Sequence, residues 1–176
     1  MDQRLRRLIT LGAVAVVCLL LISVPVPAQQ PDPLQASVRA LGARQIHTLR
    51  FHGFGATYAS GRRVPLASYT GDITASPQGF VKAARAANAS VRAVPQGTEV
   101  SFTTGGRAFI GLLNERHEVD RVQTWVDGQG HGDAMVETLF RDYEKTSSGI
   151  LFPRHITQSQ AGRPTLDVWV SAVSLR

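Results

Sequence analysis

The sequence predicts an α+β, mainly β fold: a curved antiparallel sheet or open half-barrel carrying two short helices. Three observations lead there. From Ile46 onward the chain is a succession of short segments rich in β-branched and aromatic residues, broken by glycine roughly every ten positions, which is the texture of an antiparallel meander. Between Thr98 and Leu113, Val100, Phe102 and Thr104 alternate with Glu99, Ser101 and Thr103, and Gly105-Gly106 offers the positive φ angles of a two-residue hairpin turn. Helical spacing appears in two places only, whereas parallel strands would need a crossover after nearly every strand, so a βαβ sheet is excluded.

The elements follow in order. Arg4, Arg6 and Arg7 precede an apolar run of about 17 residues, Leu8 to Val24, closed by Pro25-Val26-Pro27-Ala28. Residues 1–28 are therefore expected to be a secretory signal peptide, with retention as a single membrane anchor as the alternative. Cys18 lies inside the apolar run behind Val17, where a lipidation site would want a small residue. Residues 29–176 then form one domain of about 148 residues, enough for a continuous core.

Asp32-Pro33 is a helix-start signal, and Leu34, Val38 and Leu41 fall at helical spacing before Gly42, so the first helix is expected over Pro33 to Leu41. Strands are expected at Ile46 to Tyr58 and Leu66 to Ile73, followed by a helix from Gln78 to Asn88 carrying Phe80, Val81, Ala84 and Ala87. Beyond the glycine hairpin, strands are expected at Val119 to Val126, Met135 to Tyr143, Ile150 to Ile156 and Thr165 to Ser174. In the last, Leu166, Val168, Val170 and Ala172 are expected on one face. Gly53 and Gly55 sit inside a strand pattern with no helix after them, which fits a bulge or bend rather than a phosphate loop.

Composition narrows the function classes. The net charge is +6, with lysine only at Lys82 and Lys145 and the arginines scattered, which is the mark of a solvated surface. No basic run interleaves with aromatics, so nucleic acid is not expected as a partner. With Cys18 in the leader the processed domain holds no cysteine, which removes disulfides and thiolate metal sites. His47, His52, His117, His131 and His155 show no close chelating spacing, and His52 is expected to share a strand face with Arg50. No Gly-x-Ser-x-Gly elbow and no Ser-x-x-Lys is present. His131 and Asp133, in the segment Gly128 to Asp133, form the one pair suited to acid-base work, and a flexible hairpin loop is the preferred reading of it. No cofactor and no metal are expected.

A curved sheet presents a concave apolar face that is either a filled core or a ligand cavity. Phe102, Trp125, Phe140 and Trp169 are the aromatics expected to line an apolar groove on that face, if it is hollow.

Five stretches carry a resemblance: Gly79-Phe80-Val81-Lys82-Ala83-Ala84, Arg121-Val122-Gln123-Thr124-Trp125-Val126, Gly132-Asp133-Ala134-Met135-Val136-Glu137, Phe152-Pro153-Arg154-His155-Ile156 and Arg163-Pro164-Thr165-Leu166-Asp167-Val168. In order and spacing, from about Gln35 to the end, they resemble the β-rich leader domain ahead of the metallo-β-lactamase-fold catalytic domain in certain exported bacterial hydrolases. The His-x-His-x-Asp-His zinc signature of that catalytic domain is not in this chain, so no zinc ligand carries over and an enzyme is not expected. In strand-rich architecture the module also resembles the half-barrel of periplasmic lipoprotein carriers, which implies a hydrophobic ligand. The expectation is an exported, periplasmic or secreted, non-catalytic module holding a lipid-like group, an acyl chain or a polypeptide segment. The alternative is an accessory or truncated leader domain serving a separate hydrolase chain. The membrane would be met only through an uncleaved leader.

Overall fold

A computed structural model describes residues 32–127 and 133–175. The expected signal peptide, Cys18 and His131 lie outside the described residues. Helix α1 spans Pro33–Ala40, followed by a single 3-10 turn at Ala43–Gln45. Strands β1 (Leu49–Ala59) and β2 (Arg62–Asp72) form the first hairpin. A second 3-10 turn at Ile73–Ala75 leads into α2 (Pro77–Ala86). Then come β3 (Ser90–Val94), β4 (Gly97–Thr104), β5 (Arg107–Leu113), β6 (Val119–Asp127), β7 (Asp133–Lys145), β8 (Leu151–Gln160) and β9 (Arg163–Leu175).

The nine strands make one antiparallel sheet in the order β2-β1-β9-β8-β7-β6-β5-β4-β3. It is open, as the sequence predicts. Pairing of β1 with β9 makes β2 and β3 the two edges, and the chain linking those edges is the 3-10 turn plus α2. That connection must cross the concave face, and the burial pattern agrees: Phe80, Val81 and Ala84 of α2 join one cluster with Val100, Phe102 and Leu113 of β4 and β5. Both helices therefore serve the same side of the sheet.

Local chemistry explains where each helix starts and stops. The Asp32 carboxylate accepts from the Leu34 amide at 3.0 Å and Pro33 opens α1, which ends before Gly42 at φ +68°. In α2 the Ser76 hydroxyl accepts from the Gly79 amide at 3.2 Å with Pro77 next, so the helix begins one residue before the expected Gln78. Asn88, at φ +50°, lies just beyond its end.

Two expectations need correction. Strand β3 was absent from the sequence pattern because four of its five residues are exposed, and its pairing with β4 rather than a buried face makes it a strand. Along β9, Gly53 pairs with Val170 and His52 with Ala172, so Ser171 is an extra residue and the alternation flips. Leu166, Val168 and Val170 face inward as expected, but Ala172 is exposed and Val173 packs on the core instead. The same region carries the bend expected at Gly53 and Gly55, where the β1–β2 register also shifts.

Candidate functional site: an apolar cavity under α2

Between α2, the turn before it and the concave sheet lies a cavity of about 460 Å³, within the usual range for small-molecule sites. Its walls are built from the pleat. Phe102 and Phe109 pair across β4 and β5 with stacked rings 5.3 Å apart, and Phe80 descends from α2 to 5.4 Å from Phe102. At the other flank Phe51 of β1 sits 5.9 Å from Tyr69 of β2 and 5.2 Å from Phe152. Phe140 and Ile156, partners across β7 and β8, also line it. Gly111 lets α2 come close: a Cβ there would collide with the tip of the Phe80 ring.

Several polar groups on the wall already have partners. Thr124 Oγ1 donates to the Ala108 carbonyl at 2.9 Å, and Gln158 Nε2 donates to Thr138 Oγ1 at 3.3 Å. Among the described lining residues Lys82 carries the one full charge, with the His47 imidazole also on the wall, and none is a carboxylate.

The four aromatics expected in a groove divide between the two faces. Phe102 and Phe140 line the cavity. Trp125 does not, because it follows Thr124, which does, and successive strand residues point to opposite faces. Trp169 is 45% exposed on the outer face, stacked at 4.1 Å on His155, whose Nε2 donates to the Asp167 carboxylate at 2.8 Å. Phe51, Tyr69, Phe80 and Phe109 take the places assigned to the tryptophans. The signal available in sequence was the apolar stripe of α2, whose Phe80 had to land on whatever face the helix covers.

The turn before α2 is capped at its start by a carboxylate and closed at its end by Ser76, whose amide and hydroxyl donate to the Ile73 carbonyl. Asp72 accepts from the Thr74 hydroxyl and amide, which holds its pKa below the ordinary aspartate value. Because the folded value is depressed, the stabilisation is complete above the ordinary range and disappears as pH falls through the folded pKa. Hydrogen exchange at the Thr74 amide should therefore accelerate in acid beyond the intrinsic trend, and Asp72→Asn should remove that extra dependence. A Thr74 amide with no such acid dependence in the parent would refute the role. Tyr69, on the cavity wall, has its phenol pKa raised by burial and then by the Asp72 charge, so it remains a neutral hydroxyl.

Among the described residues no three His, Asp, Glu or Cys side chains gather into a possible metal site. Asp133 pairs with Asp127 at the ends of β7 and β6. Comparison with protein-family models, curated proteins and solved structures returns no match for this chain.

Proposed function

We propose that this is an exported, non-catalytic binding module that holds a lipid-like or other hydrophobic ligand between α2 and the concave sheet. The observation that carries the reading is the roughly 460 Å³ cavity walled by Phe51, Phe80, Phe102, Phe109 and Phe140. Each methylene buried there contributes about 0.8 kcal/mol, so a short length of acyl chain suffices for useful affinity. Export rests on the leader pattern of residues 1–28.

Titration with a fluorescent fatty acid should give saturable, one-to-one binding, and native mass spectrometry of gently purified protein should find a retained apolar ligand. Absence of both signals would reject the reading. It would leave the second one, an accessory module for a metallo-β-lactamase-fold hydrolase in a separate chain. The motif order supports that alternative, as does the outward pair Phe54 and Trp169, adjacent across β1 and β9 and 54% and 45% exposed.

A further inference from the structure

Lys82, Arg44 and Arg85 are the charged side chains that line the cavity and its neighbouring cleft. Lys82, on α2, lines both the cavity and an adjoining cleft of about 320 Å³ between the two helices. The rest of that cleft is Val38, Ala43, Arg44, Arg85 and Ala86, an apolar floor with two more cations. The Lys82 ammonium donates to the Ile46 carbonyl at 2.7 Å. That contact fixes the amine beside Ile46 and leaves two of its three donors for another acceptor.

Four arginines of the sheet have a carboxylate partner. Arg92 pairs with Glu99, Arg121 with Glu137, Arg141 with Asp120 and Arg154 with Glu144. Arg44, Lys82 and Arg85, like Arg62, Arg63 and Arg107, have no such partner among the described residues; these three are set apart by lining one cleft, and no carboxylate lines either space. Three like charges brought together from 44 and 82–85 repel one another, and an oxyanion between them would relieve that repulsion. Guanidinium and ammonium groups both bind carboxylate and phosphate oxygens through charge-assisted hydrogen bonds.

The geometry points to an amphiphile with an anionic head as the ligand: its chain in the aromatic cavity and its carboxylate or phosphate at Lys82, Arg44 and Arg85. This rests on the binding-module reading and adds selectivity to it. An uncharged head of the same chain length gains nothing from the cleft, and a cationic head is repelled.

The test is a displacement titration of the purified protein, comparing laurate, lauryl phosphate, lauryl alcohol and lauryltrimethylammonium against a bound fluorescent probe. Laurate and lauryl phosphate should bind about tenfold more tightly than the alcohol, with the ammonium compound weakest, and added salt should narrow the gap. A larger gain for the phosphate than for laurate assigns the head to a phospholipid type; an equal or larger gain for laurate assigns it to a free fatty acid. Arg44→Gln with Arg85→Gln, both exposed positions, should bring the ratio of anion to alcohol affinity close to one. Lys82→Gln should move it the same way while keeping a donor for the Ile46 carbonyl. Equal affinity for all four heads in the parent overturns the head-group inference and leaves the cavity reading standing. Failure of every lauryl compound to displace the probe, or of any probe to bind, overturns both.

Discussion

Gly55→Ala should unfold the protein roughly 10 °C below the parent, a loss of about 3 kcal/mol. Gly55 sits between Leu66 of β2 and Val168 of β9, in the strand that joins the first hairpin to the last strand. A Cβ at this position would overlap the Asp167 carbonyl oxygen, closer than any non-bonded pair tolerates. The obstruction is main chain on β9, a strand paired on both sides, so no rotamer change relieves it, and the β1–β9 ladder has to open. At Gly111 the obstacle is the far end of the Phe80 ring, which can swing aside, so the same substitution there should cost less. Thermal unfolding followed by circular dichroism checks this. A fall of less than about 2 °C for Gly55→Ala would show that the register shift beside it absorbs the extra atom.

Val122→Trp should weaken binding of a fluorescent fatty acid about a hundredfold. Val122 lies on β6 opposite Gly111 of β5 and Thr138 of β7, on the cavity wall. An indole there occupies volume that three or four methylenes of a ligand would otherwise fill, and at about 0.8 kcal/mol each their exclusion amounts to two decades in affinity. Because the indole enters existing space, the unfolding temperature should hold or rise. Thr103→Ala, an outward-facing change between the lining residues Phe102 and Thr104, should leave binding as it is. Undiminished affinity in a folded Val122→Trp variant would remove the cavity as the ligand site.

These two effects separate what the chain encodes locally from what it encodes at a distance. The helix starts at Asp32-Pro33 and the hairpin at Gly105-Gly106 are legible because capping and turn chemistry act over a few residues. The observed φ angles of Gly105 and Gly106, +56° and +75°, are those the turn requires. Sheet class is legible for the same reason, since alternation and turn spacing exclude crossovers. Strand β3 is not legible, because an exposed edge strand owes its existence to β4. The inward face is legible only until a register shift: one extra residue at Ser171 puts Ala172 outside and Val173 inside.

The candidate site was legible in kind and only half so in membership. Phe102 and Phe140 sit on strands whose alternation places them inward, whereas Trp125 and Trp169 fall on the opposite phase of theirs, and hydrophobicity alone does not report phase. Phe51, Phe80 and Phe109 reach the cavity through the β1–β9 pairing and the passage of α2 across the concave face. The cluster of Arg44, Lys82 and Arg85 joins residues dozens of positions apart, so cations scattered in the chain come to line one cleft in space.

The linear order of residues by itself determined an open antiparallel sheet with two helices and an interior rich in aromatic rings, because turn, cap and alternation energies depend on near neighbours. Only the tertiary structure decided that this interior is hollow, which rings wall it and which charges stand at its edge. Those depend on where β1 closes against β9 and where α2 lands, and both are settled by contacts between segments far apart in the chain.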